Sequence, residues 1–137
     1  VPNDGSNRAR ALMLLETAGL ITLAEGVGMQ ATILDIVENP IGLQIVEMEA
    51  AQIDGVRDSV AMAVINGNYA LQAGLFAGTD GIVAEGSENA TVYANILVVR
   101  EGNENTEKTK ALIAALQSDA VKAYIESTFP GSVVPCF

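Results

Sequence analysis

Short apolar segments with the character of strands alternate with helical segments along the 137 residues of this chain. Apolar and polar side chains partly alternate in residues 43–48, residues 61–65 are wholly apolar, and residues 81–84 and 93–99 flank a turn-rich stretch at 86–89. Strand and helix signals that follow one another in this way are typical of a sheet covered by helices. The sequence therefore predicts an α/β fold with a mostly parallel sheet flanked by helices.

Helix signals occupy the segments between and after these strands. Residues that can cap a helix precede an apolar repeat that stops at Gly19, so a first helix is predicted over residues 7–18. Thr32 and Asp35 have the spacing of a capping box, and the short helix that they begin is expected to end before Pro40. Further helices are predicted at residues 50–59, 69–73, 106–117 and 119–128.

The composition excludes several classes of function. Seven Lys and Arg residues stand against 17 Asp and Glu residues, and the formal charge of −10 disfavours nucleic acid and anionic membranes as partners. The chain has no His and a single Cys, Cys136, so neither a His-dependent catalytic triad nor a structural zinc site can form. Neighbouring carboxylates such as Asp35 and Glu38 are expected to be solvated. We therefore expect no catalytic residue, no metal and no cofactor.

A glycine-rich stretch offers one alternative function. Gly26-Val-Gly28-Met-Gln-Ala matches the Gly-x-Gly-x-x-Ala form of a dinucleotide-binding loop, with Glu47 or Glu49 about 20 residues further on. That motif needs a strand directly before its first glycine, whereas residues 20–23 follow the end of the first helix too closely to form one. The alternative is a nucleotide-binding α/β domain of an enzyme that uses the loop at Gly26 and Gly28.

Polar side chains near predicted strand ends and helix starts are candidate ligand-binding groups. Arg10 is predicted in a first helical turn, where a cation opposes the helix dipole, so its guanidinium is expected to hold an anion such as a carboxylate. Asn66 follows the apolar strand at 61–65, and Asn95 interrupts the strand at 93–99. An amide in such a place needs hydrogen-bond partners, which either the backbone or a ligand supplies.

Five blocks of residues, in order along the chain, resemble the NlpA-type family of substrate-binding lipoproteins. The blocks are Val1-Pro-Asn-Asp-x-x-Asn7-x-x-Arg10-Ala-Leu12, Asp35-Ile-Val-Glu-Asn-Pro40, Ala63-Val-Ile-Asn66, Tyr93-Ala-Asn95, and Leu116-Gln-Ser-Asp119 with the terminal Gly131-Ser-Val-Val-Pro135. This resemblance covers essentially the whole chain. It implies one lobe of a type II periplasmic-binding-protein clamshell, in which two α/β lobes close on a ligand.

The resemblance also implies a function and a set of ligand contacts. Members of this family are non-catalytic, extracytoplasmic components of ABC importers, and they bind methionine or a related small amino acid and deliver it to a membrane permease. By matching position, Arg10 and Asn7 correspond to the family's carboxylate-binding residues, and Asn66 and Asn95 to its other polar ligand contacts. The lipidated Cys that anchors such a protein in the membrane would lie upstream of this chain.

The resemblance further implies how the chain divides. Residues 1–94 would form the second lobe, and residues 95–137 would be a hinge strand and C-terminal helices that return to the first lobe. That first lobe, which lines the methionine side chain, has no counterpart here, and Val1 and Pro2 are expected to end a strand that begins upstream. With the first lobe absent, the apolar face that runs from Leu112 to Ile125 is expected to be exposed and to favour a homodimer.

Overall fold

The chain forms two compact units in the computed structural model, which describes residues 1–86 and 92–137. The first unit is Val1–Ala84 and the second is Glu85–Phe137. Most of the predicted turn at 86–89 therefore lies outside the described residues. The boundary predicted at residue 94 separates a lobe from a return segment, whereas these units are divided by compactness. The predicted boundary therefore stays a prediction. In the part of the chain that is described, no helix is both long and apolar enough to cross a membrane.

Helix α1, Gly5–Thr17, contributes four buried side chains to the first unit: Ala9, Ala11, Leu12 and Leu15. Asp4 begins the helix, because one of its carboxylate oxygens accepts the backbone N–H of Asn7 at 3.0 Å. Gly19 follows its end with φ of 71°, a value that favours glycine. The helix begins two residues before the predicted start, so Arg10 lies in its second turn. The predicted conflict between Arg10 and the helix dipole was therefore wrong, since the dipole acts within the first turn.

A small hydrophobic core joins α1 to the segments that follow it. Strand β1, Thr22–Leu23, pairs antiparallel with β2, Ile36–Glu38. The backbone N–H of Leu23 donates to the Glu16 carboxylate at 2.7 Å, which ties β1 to the end of α1. The expectation that residues 20–23 form no strand was therefore wrong. The buried members of the core are Ala9, Leu12, Leu15, Ile21, Leu23 and Ala31.

Two predicted helices of the first unit are replaced by 3₁₀ turns. Thr32 and Asp35 form the predicted capping box, but the helix that they begin is the single turn Ile33–Asp35, which leads directly into β2. The helix predicted at 50–59 consists of the 3₁₀ helices Ala50–Gln52 and Asp54–Ser59. Gly55 lies in the second of them, and glycine is a poor former of regular α-helix.

Parallel pairing in the described residues is limited to one bridge, between Pro2 and Met48. Met48 donates its N–H to the carbonyl of Val1 at 3.0 Å, and Asn3 donates to the carbonyl of Met48 at 2.9 Å. The strands predicted at 61–65, 81–84 and 93–99 are not formed in the part of the chain that the structure describes. An apolar run predicts burial of side chains, whereas a strand also needs a hydrogen-bonded neighbour, which the run itself does not specify.

The apolar run at 61–65 is also less buried than predicted. Ala61 and Met62 are exposed, and Val64 is half-buried against the core of the first unit. The run leads into the short helix α2, Gly67–Gln72, which overlaps the helix predicted at 69–73. Helix α3, Ala77–Asp80, follows.

Two helices dominate the second unit and agree with prediction. Helix α4 is Glu107–Leu116 with Thr106 as its N-cap, and α5 is Asp119–Thr128 with Ser118 as its N-cap. Among the described residues of this unit only Thr109 is buried. Large apolar side chains on the two helices are instead exposed, as expected: Leu112 at 45%, Ile113 at 39%, Leu116 at 47% and Tyr124 at 61%.

Candidate functional site

Three polar side chains at the start of α1 form a hydrogen-bonded series. The backbone N–H of Asn7 donates to one carboxylate oxygen of Asp4 at 3.0 Å, and the Asn7 side-chain amide donates to the other oxygen at 3.1 Å. A guanidinium N–H of Arg10 donates to the side-chain carbonyl oxygen of Asn7 at 3.5 Å. Because Asn7 and Arg10 are three residues apart on one helix, their side chains lie on the same face. Asn7 and Arg10 are thus brought together at the start of α1.

The electrostatics of the series keep Asp4 ionised. The backbone N–H of Asn7 is the main cause that lowers the pKa of the Asp4 carboxyl, and the Asn7 side-chain amide and the nearby Arg8 charge lower it further. A carboxylate that accepts hydrogen bonds favours its charged form. Asp4 is therefore an acceptor at both of its oxygens over the whole physiological pH range.

Arg8 is the other cation of this helix turn, and the structure assigns it a different partner. Its guanidinium lies 3.2 Å from the carboxylate of Glu47, and about a quarter of each side chain is exposed, 24% for Arg8 and 26% for Glu47. This ion pair connects α1 to the segment that ends at the Met48 bridge. Arg8 is thus committed to a contact within the fold, and Arg10, which contacts Asn7, is the candidate for an anionic ligand.

Asn66 carries a buried acceptor without a protein partner. Its side-chain oxygen is buried and accepts no hydrogen bond within the described residues. Asn66 is also the N-cap residue of α2, yet its side chain makes no capping hydrogen bond. A buried acceptor that lacks a donor costs stability, so this oxygen is suited to a ligand group that donates, such as an ammonium.

Asn95 belongs to the second unit, whereas Asn7, Arg10 and Asn66 belong to the first. Asn95 is exposed and lies outside any helix or strand. Its proximity to the other three side chains therefore stays a prediction.

The glycine loop does not have the structure that nucleotide binding requires. Gly26 and Gly28 have φ of 81° and 46°, and with Asp35 they line a shallow surface depression. The loop leads into the three-residue 3₁₀ helix Gly28–Gln30. A dinucleotide motif needs a full α-helix there, whose N-terminus receives the pyrophosphate. The alternative function is therefore not supported.

Sequence analysis missed two residues that shape this site. Asp4 was considered only as a member of the first family block, although the Asp4-x-x-Asn7 spacing could have indicated a side-chain contact. Glu47 was considered, with Glu49, only as the acidic residue of a dinucleotide motif, and its contact with Arg8 spans 39 positions of the chain. No local pattern predicts a contact of that separation.

Comparison with known proteins gives a consistent result over the whole chain. The profile described as NlpA lipoprotein matches residues 1–137. The D-methionine-binding lipoprotein MetQ of Escherichia coli K12 is 46% identical over 136 residues, which are 98% of this chain and 49% of that protein.

Solved structures agree in fold. A periplasmic substrate-binding protein of an ABC transporter from Coxiella burnetii has a TM-score of 0.88 and 43% identity, covering 99% of this chain and 56% of that one. A nutrient-binding protein from Burkholderia cenocepacia, bound to methionine, has a TM-score of 0.83 and 41% identity, covering 100% of this chain and 57% of that one. The predicted fold class, an α/β lobe of a periplasmic binding protein, is confirmed.

The chain spans about half the length of the relatives that it matches, 49% of the Escherichia coli protein and 57% of the Burkholderia one. Within that half the match is continuous, with identity above 40% in sequence and in structure comparisons. The chain belongs to the NlpA lipoprotein family.

Proposed function

We propose that this chain is the second lobe and return segment of the extracytoplasmic, non-catalytic substrate-binding component of an ABC importer for methionine or a related small amino acid. The buried side-chain oxygen of Asn66, which has no partner among residues 1–86 and 92–137, carries the proposal, because it can accept a hydrogen bond from the ammonium of an amino acid. Family membership and the methionine-binding names of the relatives support it. A membrane permease is the partner that such a component would require.

The ligand carboxylate is assigned to Arg10 and Asn7. A guanidinium can donate two parallel hydrogen bonds to a carboxylate, which an ammonium group cannot do. Asp4 accepts one hydrogen of the Asn7 side-chain amide, and the other is the one that we assign to the ligand. Asn95 completes the polar contacts in this proposal, and the apolar wall around the thioether belongs to the half of the clamshell that the relatives have in addition.

The anchoring and the self-association of the chain are part of the same proposal. A lipidated Cys upstream would hold the protein at the outer face of the membrane. On its own, the 137-residue chain would form homodimers through the exposed apolar side chains of α4 and α5, such as Leu112 and Leu116.

Methionine binding to this chain is tested by NMR titration of the labelled protein. We expect the side-chain signals of Arg10 and Asn66 to shift at millimolar methionine, because one lobe leaves the ligand open to water. Methioninamide, which lacks the carboxylate, should shift Asn66 while its effect on Arg10 is lost. Absence of any shift with methionine would refute the proposal. Low-micromolar affinity in calorimetry would contradict the assignment of half of the binding contacts to another lobe.

Arg10→Lys is the matched variant, because it keeps the positive charge and removes the planar fork. We expect it to weaken methionine binding about tenfold, which corresponds to a loss of roughly 1.4 kcal/mol. Arg8→Lys is its control, because Arg8 is committed to Glu47. An equal loss in both variants would show that the effect does not come from the planar fork of Arg10, and the assignment of the carboxylate to Arg10 would fail.

A further inference from the structure

We propose that Asp4 is a positioning residue of the amino-acid site, which orients the side chain of Asn7 and through it the guanidinium of Arg10. This inference rests on the proposed function for its consequence in binding, but the side-chain series itself is independent of any ligand. Asp4 would touch no ligand atom. Its effect would pass through the Asn7 amide alone.

The two oxygens of Asp4 hold two different groups of the same residue. One accepts the backbone N–H of Asn7 at 3.0 Å, and the other accepts the side-chain amide of Asn7 at 3.1 Å. The first contact caps α1, as an N-cap residue commonly does. The second contact does not contribute to capping, because it satisfies no backbone group of the helix. Asp4 therefore does more than begin the helix.

The chemistry of the two neighbours fixes the direction of the Asn7 amide. An ionised carboxylate only accepts hydrogen bonds and a guanidinium only donates them. A side-chain amide donates from its nitrogen and accepts at its oxygen. With its nitrogen toward Asp4 and its oxygen toward Arg10, Asn7 matches both neighbours. Rotation of the amide by 180° would place oxygen against carboxylate and nitrogen against guanidinium, so both contacts would become repulsive.

This arrangement gives Asp4 control over the position of Arg10. The hydrogen bond between Arg10 and Asn7 is long, 3.5 Å, and a contact of that length does not by itself fix an amide. The charge-assisted bond from Asp4 is the stronger of the two. Without it, Asn7 is free to rotate, and its oxygen is no longer held in one place as an acceptor for the guanidinium. Arg10 would then be held less firmly in the position that suits the ligand carboxylate.

The first experiment follows the side chains of Asn7 and Arg10 by NMR in the 137-residue chain during acid titration. Protonation of Asp4 should shift the Asn7 side-chain amide and the Arg10 guanidinium signals together, with one midpoint. Arg8 is the other charged group whose field acts on Asp4, so its signals are recorded as well. Asp4→Ser, which still offers an oxygen to the helix, should abolish both coupled shifts.

Asn7→Ala is the matched variant, because the capping bond uses the backbone N–H of residue 7 and survives the substitution. If Asp4 acts through the amide, the Arg10 signals no longer follow its titration in this variant. If they still follow it, the charge of Asp4 acts through space and the proposal is overturned. A wild-type titration in which Asn7 shifts and Arg10 does not would also overturn it.

The second experiment measures methionine affinity in a double-mutant cycle. We expect Asp4→Ser to weaken binding roughly threefold to tenfold, as for loss of a hydrogen bond to a charged group at an exposed position. In the Asn7→Ala background the same change should have no further effect. An equal effect in both backgrounds would assign Asp4 to helix capping alone. If the wild type binds no methionine, the proposed function fails, while the NMR titration still decides the positioning role.

Discussion

The guanidinium of Arg8 lies 3.2 Å from the carboxylate of Glu47, and this ion pair joins α1 to a segment 39 positions further along the chain. Both groups are about three-quarters buried, with 24% and 26% of the side chains exposed. A pair of this kind contributes more than an exposed surface pair, since it is less screened by solvent.

Glu47→Gln should therefore destabilise the first unit by about 1 kcal/mol, because it leaves the partly buried Arg8 without an opposite charge. Urea unfolding followed by the signals of α1 measures this loss. Glu49→Gln is the control, because Glu49 is exposed and only two residues away, and it should change stability by less than about 0.5 kcal/mol. Equal effects of the two variants would mean that the pair adds nothing specific.

Removal of the Asn66 side chain should stabilise the first unit, in contrast to Glu47→Gln. Asn66→Ala deletes a buried acceptor without a described partner and removes no side-chain cap, so the unfolding free energy should rise by up to about 1 kcal/mol. Methionine binding should weaken in the same variant. A gain in stability combined with a loss of binding is the expected signature of a ligand-binding residue.

Ser118→Ala is the control for Asn66→Ala, because Ser118 is an N-cap residue whose side chain does make a capping hydrogen bond. The Ser118 hydroxyl accepts the backbone N–H of Val121 at 3.4 Å, so its removal should cost roughly 0.5–1 kcal/mol in α5. Hydrogen exchange at the first turns of α2 and α5 reports each helix separately. If Asn66→Ala instead destabilises α2 as Ser118→Ala does α5, the Asn66 side chain has a structural role.

Acid should destabilise the capping box of Thr32 and Asp35. The Thr32 hydroxyl, and then the Thr32 backbone N–H, lower the pKa of the Asp35 carboxyl in the folded chain. The unfolded chain therefore binds a proton at higher pH than the folded chain. The box thus stabilises the fold fully above the ordinary aspartate pKa of about 4, and this stabilisation is lost as the pH falls through the lower folded-state pKa.

Thr32→Ala removes the main cause of that shift, so the loss of stability between about pH 5 and pH 3 should become smaller. Thermal unfolding across this range measures the slope. Thr17→Ala is the control, because the Thr17 hydroxyl donates to the backbone carbonyl of Met13 and to no carboxylate. It should leave the slope unchanged. An unchanged slope in Thr32→Ala would contradict the assignment.

Self-association should depend on α4. Leu116 is 47% exposed, and Leu116→Gln should reduce the dimer fraction of the 137-residue chain in sedimentation at several concentrations. Ile41→Gln removes a comparable exposed side chain, 62% exposed, from the first unit and should leave the dimer unchanged. A wild-type chain that stays monomeric at every concentration would contradict the proposed homodimer.

Local signals in the sequence predicted α1, α4 and α5, whereas two further helices predicted in the first unit are 3₁₀ turns. Gly19, the Thr32 and Asp35 box and Ser118 act on groups within four residues of themselves, and the structure has each of them in the predicted role. The start of α1 was predicted two residues too late, because several polar residues at the beginning of the chain can cap a helix and only the hydrogen bond from the Asn7 N–H identifies Asp4.

Contacts between distant residues could not be predicted in the same way. No local pattern shows which of Arg8 and Arg10 forms an ion pair within the fold. The structure shows that Arg8 does, with Glu47, which lies 39 positions further along the chain. The apolar run at 61–65 predicted a buried strand that the structure does not form, because a side-chain pattern does not specify where a hydrogen-bonded neighbour lies. Arg10, Asn66 and Asn95 were candidates from their places near strand ends and a helix start, and the resemblance added Asn7. The contact between Asp4 and Asn7 required the structure.

Pro2 gives the first three residues one further property. Their hydrogen bonds to Met48 use the carbonyl of Val1 and the N–H of Asn3, so the nitrogen of Pro2 faces away from that partner and carries no hydrogen. Pro2 is also fully buried, so an ordinary residue at this position would bring a backbone N–H into the interior, where it would need an acceptor. A proline avoids that requirement, because its nitrogen has no hydrogen to satisfy.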